Sequence, residues 1–597
     1  MTASPASVLV LGTSGLDLLA GPLRERLTAG GQSDAVEIEI AGYDQWRARL
    51  MNSTGPPPAL VVIVLDGEDL FFPWMDRVVT DPAGAAGAIR DELSSDITAT
   101  LSAGINNHPD AQFIVVAPAV PTSLVPGSLA AASHAAVSEA VEDLNRTLRA
   151  WAGETGRAHL IDTRTLFTRH GERTLRDRRL WALARCRWSR EGLCLLADRV
   201  ASLWRAIRGL TRKCLVLDLD NTLWGGVIGE AGATGIELGH EGLGLAYREF
   251  QMRLRRLRSL GVLLAINSKN DESLAWETIE RHPAMILKRS DFAAWRINWS
   301  DKAQNLQEIA ADLNISVAAL VFVDDDEAEQ DRVRTALPDV AVPEFPSEAT
   351  ALTDFADEFV WQYFNRTALT AEDLDKTRQY HDESRRDGLK KQCTTIEEWL
   401  ASLEMRSRIV RADPSNLPRL TQLTQKTNQF NLTTRRYTQD QMADMAKRDD
   451  WIILCADLTD RVGDSGVVGL AMAHRTSDTD WRLDNFLLSC RVIGRTLEYT
   501  LLHAMACLVR DAAGRRLLAE YLPTERNQLV RDLWGRLGFT LAHEDPDGRT
   551  EWSCDLSTSL PEAGPLIRWT FAASQCHAEP GGVAGEPETE GGAGTGT

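Results

Sequence analysis

The chain has 597 residues, 44% of them hydrophobic, a formal net charge of −20 and nine cysteines. That length holds roughly three or four domains with separate cores, the acidity excludes nucleic acid as a general partner, and no apolar run approaches the ~20 residues of a membrane span. The odd cysteine set, scattered without a Cys-x-x-Cys pair, points to reduced thiols in a cytoplasm rather than to a disulfide frame or a zinc site, and the apolar stretch 8–11 is too short for a secretory signal.

Residues 1–209 read as a first α/β unit with a parallel sheet. Strand candidates are 8–11, 60–65, 113–117 and 159–161, separated by stretches long enough for crossover connections. The first runs into Gly12-Thr13-Ser14-Gly15, which resembles the nucleophile turn of SGNH-type esterases, with Ser14 in the nucleophile's place. No Asp-x-x-His occurs before residue 210, and 181–189 fills the region where that block would lie. A serine hydroxyl without a positioned imidazole is a poor nucleophile, so this unit is expected to be SGNH-like in fold and not a working hydrolase.

Residues 210–347 read as a second, doubly wound α/β domain. The run from Cys214 to Leu219 is apolar and strand-forming, and it delivers Asp218 and Asp220 to its carboxyl end. Alternation of side chains puts both carboxylates on one side, and acids crowded at a buried rim need a cation or a proton to reconcile them. A divalent ion is the natural answer. A helical pattern over 245–260 precedes a second apolar strand, 262–266, which ends in Asn267-Ser268-Lys269-Asn270. Trp299-Ser300-Asp301-Lys302 then places a lysine before a helix, and a third strand, 320–323, ends in Asp324-Asp325-Asp326. The carboxyl ends of parallel strands form one crevice, so these tips converge.

Asp218-x-Asp220-x-Thr222, Ser268, Lys302 and Asp324-Asp325 together resemble the four motifs of the haloacid dehalogenase (HAD) superfamily of phosphatases and phosphotransferases. The resemblance implies that Asp218 attacks phosphorus, and that Asp220 protonates the leaving oxygen and later activates water. It also implies that Thr222, Ser268 and Lys302 hold the phosphoryl group. Magnesium ligation falls to Asp218, the main-chain carbonyl of Asp220, Asp324 and Asp325. Such chemistry is mostly positioning and charge neutralisation.

Residues 348–404 read as a helical connector with a solvated charged face: Glu372, Asp373, Asp375, Lys376, Arg378, Arg385 and Arg386. A third domain, 405–558, offers strands at 451–458, 467–473, 482–489 and 517–522 and a helix from near Gly494. It resembles the GNAT-like acetyltransferase fold, with Arg491, Gly494 and Thr496 in its pyrophosphate turn, Asn527 after its last strand, and a pantetheine-sized slot between two strands. Thr496 stands where that family has glycine or alanine. The tail, 559–597, is expected to be mostly disordered from its Gly, Glu and Thr content near the end.

With 218–226, 324–329, 427–433 and 489–494 added, residues 1–558 are similar to the FkbH-like glyceryl transferase/phosphatase family, HAD subfamily IIIC. That resemblance implies magnesium-dependent dephosphorylation of 1,3-bisphosphoglycerate and transfer of the glyceryl unit to the phosphopantetheine thiol of an acyl carrier protein in polyketide biosynthesis. Asp326, where the family commonly has asparagine, is expected to add negative charge beside the metal. The alternatives are a phosphatase on another small molecule or protein, and an inactive assembly scaffold. Cys490, beside Arg491 and before a helix, is the candidate acyl-carrying thiol, with His503 the one candidate base. Arg435 and Arg436 are the candidate carrier-docking patch, and Arg253, Arg255, Arg256 and Arg258 the second choice.

Overall fold

The computed structural model describes residues 6–28, 36–52, 56–120, 131–367, 378, 382, 385, 386, 388–390 and 392–571. Glu372, Asp373, Asp375 and Lys376 of the charged connector, and the chain end from Glu579, lie outside the described residues.

The first sheet comprises β1 (Ala6–Gly12), β2 (Val36–Ile40), β3 (Leu60–Val64), β4 (Gln112–Ala117) and β5 (Ala158–Asp162). All neighbours are parallel, in the order β2-β1-β3-β4-β5. The two faces of the sheet feed separate cores: Val8, Val10, Val62 and Ile114 pack with the helix Arg190–Ile207, whereas Leu9, Leu11, Val61 and Val115 pack under the helix Ala131–Thr155. Burial on both faces explains the unbroken apolar runs, each enclosed aliphatic side chain contributing about 1.5–3 kcal/mol. The edge strand β2 went unread because Val36-Glu37-Ile38-Glu39-Ile40 alternates between half-buried and exposed.

The second sheet comprises β6 (Cys214–Leu217), β7 (Leu263–Ser268), β8 (Phe292–Ile297) and β9 (Leu320–Val323), all parallel, in the order β8-β7-β6-β9. Leu215, Leu217, Ile266 and Val323 face the helix Gly242–Ser259, while Cys214, Val216, Ala265 and Phe322 face the helix Lys302–Asp312. This is a doubly wound sheet.

The beginning of the 348–404 segment is not a free connector. Leu352, Ala356 and Phe359 of the helix Leu352–Phe359 complete the second core. Glu358 accepts from both terminal nitrogens of the buried Arg199 at 2.8 and 3.0 Å, tying the first unit to the second. Further on, Arg378 and Arg385 are exposed as expected. Arg386 is not on a solvated face: it is 2% exposed and donates to Asp460 at 2.6 and 3.0 Å.

The third sheet has β10 (Met405–Arg411), β11 (Trp451–Thr459), β12 (Asp464–Arg475), β13 (Asp480–Leu488), β14 (Arg516–Tyr521), β15 (Thr540–Glu544), β16 (Thr550–Asp555) and β17 (Ile567–Phe571), in the order β15-β16-β14-β13-β12-β11-β10-β17. It is mixed: β13–β14 and β10–β17 are parallel pairs and the other pairs antiparallel. Strand β17 corrects the boundary at 558 and the reading of 559–597 as tail, because Ile567, Trp569 and Phe571 are buried and pair with β10. Among the described residues no helix is long and apolar enough to cross a membrane.

Candidate active site

Asp218 follows β6 directly, its N–H donating to the Val323 carbonyl of β9 at 2.9 Å. At this rim the carboxylates of Asp218, Asp324 and Asp325 bring oxygens within 4.8 Å of one another. The buried Lys302 ammonium stands between two of them, 2.6 Å from Asp324 Oδ2 and 3.3 Å from Asp218 Oδ1. The structure therefore gathers Asp218, Lys302, Asp324 and Asp325 from two separate strand ends and a helix start. Ser268, buried at the end of β7, hydrogen-bonds Asp218 through its hydroxyl. Thr222 is fully buried, its hydroxyl 3.5 Å from Asp325 Oδ1.

Asp220 sits apart from the carboxylate cluster. Its Oδ1 accepts from Trp224 Nε1 at 2.9 Å and the Ile228 N–H at 3.1 Å, and its Oδ2 from Asn270 Nδ2 at 2.9 Å. Three donors fix this carboxylate, so only its main-chain carbonyl is left for the ligand role the resemblance implies. Asp326 is a correction. It is exposed and caps the helix Glu327–Ala336, accepting the Ala328 N–H at 2.8 Å, so its charge serves a helix N-terminus and not the metal cluster.

The electrostatics fit a hard divalent cation. Burial raises the Asp218 pKa against the opposing pull of Lys302 and Ser268, and burial together with Asp218 raises that of Asp325. Burial and then the neighbouring Asp218 push Asp324 up to about 7, while against burial the two carboxylates raise Lys302. One ammonium does not neutralise three crowded acids, and oxygen donors at this spacing suit a cation of the magnesium or calcium type.

A pH dependence follows. An unfolded aspartate titrates near ~3.9, so with a folded value of about 7 the native state binds more protons than the unfolded chain between these limits. The Asp324 contribution to stability is present below the unfolded value and is lost as pH rises through the folded one. In chelator, the parent should lose stability relative to Asp324→Asn between about pH 4 and about pH 7. A constant difference between their denaturant midpoints would contradict this.

Sequence reading missed the residues that aim Lys302. Asn267 Nδ2 donates to the Lys302 carbonyl at 2.9 Å, and Asn305 Nδ2 bridges Asn267 Oδ1 and Asn298 Oδ1 at 3.0 Å each. The cluster of asparagines around the lysine was the available signal.

In the first unit, the Ser14 hydroxyl is buried with no hydrogen-bond partner among the described residues, and the Gly15 N–H donates to the Arg185 carbonyl at 2.7 Å. The 181–189 segment brings Arg187, which pairs with Asp69 at 2.6 Å and with Glu68.

Cys490 is half-buried at the first position of the turn Cys490–Val492. The following helix, Leu497–Asp511, starts only after Thr496, so its N-terminus does not adjoin the thiol as expected. His503 does not serve Cys490 either: its Nδ1 donates to the Pro561 carbonyl at 2.7 Å and its Nε2 faces Cys507 Sγ at 3.5 Å. Arg491 Nε donates to the Ser489 hydroxyl at 3.3 Å, and Gly494 adopts φ +79° in the turn. Gly564 covers the helix start, its N–H donating to Thr500 Oγ1 at 3.2 Å.

The expected slot between strands is closed by the chain itself. Strands β13 and β14 pair only from Asp480 to Arg482 and from Arg516 to Leu518. Beyond that, residues 430–432 fill the gap: the Leu488 N–H donates to Phe430 O at 3.0 Å, Leu432 N–H to Phe486 O at 3.3 Å and Leu522 N–H to Leu432 O at 2.8 Å. Asn527, expected to bind pantetheine, is instead the buried clamp on this insert. Its Nδ2 donates to Asn431 O and Leu522 O at 3.0 and 2.9 Å, and its Oδ1 accepts from Thr524 N–H at 2.7 Å and Tyr521 OH at 3.2 Å. Arg435 is also engaged, bonded to Asp484 at 2.9 Å and to the buried Glu520, so it is no free docking cation. In the second-choice patch, Arg253 pairs with Asp357 at 3.2 Å and Arg258 with Asp291 at 3.0 Å, leaving Arg255 and Arg256 exposed.

No protein-family model and no curated protein matches the chain. Among solved structures, the N-terminal part of the protein BF1531 from Bacteroides fragilis, described as containing a phosphatase domain complexed with Mg, is 26% identical, with a TM-score of 0.55 over 61% of this chain and 95% of that chain. A putative GNAT-family acetyltransferase from Desulfovibrio desulfuricans is 15% identical over 25% of this chain and 99% of that chain, with a TM-score of 0.21. The GNAT domain of S. lividans PAT is 18% identical over 25% of this chain and 89% of that chain, also at 0.21. The α/β class read from the sequence agrees with the BF1531 structure and with the sheets themselves.

Proposed function

We propose that the protein is a magnesium-dependent phosphatase coupled to glyceryl transfer, of the FkbH-like kind, acting in the cytoplasm. It removes the phosphates of 1,3-bisphosphoglycerate and loads the glyceryl unit onto the phosphopantetheine thiol of an acyl carrier protein used in polyketide assembly. The observation that carries the phosphatase half is the convergence of Asp218, Ser268, Lys302, Asp324 and Asp325 on one rim. The similarity to the Mg-complexed BF1531 structure supports it.

In this reading Asp218 Oδ attacks phosphorus while the P–O bond to the glyceryl unit breaks. Asp220, held by Trp224, Ile228 and Asn270, supplies the proton to the leaving oxygen and afterwards takes one from the water that attacks phosphorus, breaking the Asp218 Oδ–P bond and releasing inorganic phosphate. Lys302, Ser268 and Thr222 hold the phosphoryl oxygens. Asp218, Asp324, Asp325 and the Asp220 carbonyl would hold magnesium, which supplies charge neutralisation of the transferring group. At the acyl end the Cys490 thiolate attacks C1, a C–S bond forms and the C–O bond to phosphate breaks. Exchange with the pantetheine thiolate then returns Cys490 free.

The test is intact-mass measurement of a carrier protein incubated with the enzyme, magnesium and 1,3-bisphosphoglycerate. A carrier heavier by one glyceryl unit is expected. Phosphate release with an unmodified carrier would instead identify a phosphatase for another small molecule or protein, and neither product would leave an assembly scaffold.

A further inference from the structure

The insert between β13 and β14 leads into a basic patch at the junction of the first and third units. Arg436 is exposed beside it, donating to Asn428 Oδ1 at 3.3 Å. Arg526 stands next to the clamp residue Asn527, which holds the Asn431 carbonyl of the insert at 3.0 Å, and Arg208, at the end of the helix Arg190–Ile207, precedes Gly209. Partial desolvation first, and then the Arg208 and Arg526 guanidinium groups, lower the Arg436 pKa. The first and third units meet at this place, since a Cβ on Gly209 would lie 3.7 Å from the Gln425 carbonyl. Leu210 and Leu529, beside these arginines in the chain, are 43% and 57% exposed.

Three cations and two exposed leucines on a chain of net charge −20 make a local exception that would be expected to repel no acidic protein. Its place matters as well. Asn428 lies in the segment whose Phe430 carbonyl takes the Leu488 N–H, two residues before Cys490, so the patch borders the strand end that presents the thiol.

We propose that Arg208, Arg436 and Arg526, with Leu210 and Leu529, form the docking surface for the acidic face of the carrier protein, whose arm then reaches Cys490. This rests on the function proposed above. The arginines steer the approach and the leucines supply apolar contact once the carrier is seated.

The experiment compares the parent with Arg436→Glu/Arg526→Glu and with a control, Arg255→Glu/Arg256→Glu, in carrier loading from 1,3-bisphosphoglycerate. The patch variant should raise the apparent KM for carrier by about tenfold or more and weaken its salt dependence. Phosphate release without carrier, and transfer to free pantetheine, should keep the parental rates. Loading by the parent with an unaltered KM in the patch variant would overturn the patch alone. So would an equal rise in the control, which marks a general charge effect, or an equal loss with free pantetheine, which assigns the arginines to the arm. A parent that loads no carrier would overturn both the patch and the function on which it rests.

Discussion

Asp218→Asn should release phosphate from 1,3-bisphosphoglycerate on the order of 10⁴-fold more slowly than the parent, in saturating magnesium, because a neutral amide cannot form the aspartyl phosphate. The substitution keeps the shape of the side chain, and its effect on folding has the opposite sign from its effect on rate. Asp218 is buried with its pKa raised, so the fold disfavours its charge. Removing one partner of a buried ion pair ordinarily costs ~3–5 kcal/mol, because the other charge is stranded. Here Lys302 keeps Asp324 at 2.6 Å, and the crowding of Asp324 and Asp325 is relieved. The variant should therefore melt no lower than the parent in chelator while remaining inactive. Phosphate release near the parental rate, with magnesium present and the protein folded, would remove Asp218 from the nucleophile's role.

The strand ends that make this centre were legible because two independent patterns coincide there. Strands buried on both faces read as apolar runs, as in Cys214–Leu217 and Leu320–Val323, and the polar residues that follow each run fall on one rim whatever the loops between them do. Several of the strands that went unread lack that pattern, although β8, Phe292–Ile297, was missed as a largely buried parallel strand. β2 is half-exposed, and β10, with Arg406 and Arg408 exposed between buried Met405, Ser407 and Ile409, alternates. β17 lies in the stretch from 559 whose reading as tail rests on the Gly, Glu and Thr content nearer the chain end. What sequence spacing does not carry is the partner of a polar side chain. Arg435, Arg386 and Asn527 look alike as exposed candidates in the sequence, yet each is spent on a tertiary contact: Asp484 and Glu520, Asp460, and the Asn431 carbonyl. Asp326 likewise resembles a third cluster acid until the helix it caps is seen. The self-filled gap between β13 and β14 is a contact between segments far apart in the chain, and no local propensity announces it.

Cys490→Ala should abolish carrier loading while leaving phosphate release at the Asp218 centre in place. An aspartate that attacks phosphorus does not account for a thioester, which requires attack on the acyl carbon, so a second nucleophile is needed. The structure narrows the choice among the described thiols. Cys214 is fully buried, and burial raises its thiol far out of the physiological range; burial also pushes Cys455 up to about 12 and raises Cys186 and Cys554. Cys507 is 7% exposed beneath the segment that carries Pro561, with His503 against its sulfur. Cys194, Cys393 and Cys490 remain as half-buried thiols, and of these Cys490 has a place at the end of β13, beside the insert that closes the neighbouring gap. A donor that is already an acyl phosphate needs little further activation, so a thiol without a paired imidazole suffices. Parent and Cys490→Ala are incubated with magnesium and 1,3-bisphosphoglycerate, without carrier, and their peptides weighed. A glyceryl adduct on Cys490 in the parent and none in the variant is expected. An adduct on Cys507 in the parent would move the chemistry to the thiol that His503 faces, and an adduct that survives Cys490→Ala would refute the assignment.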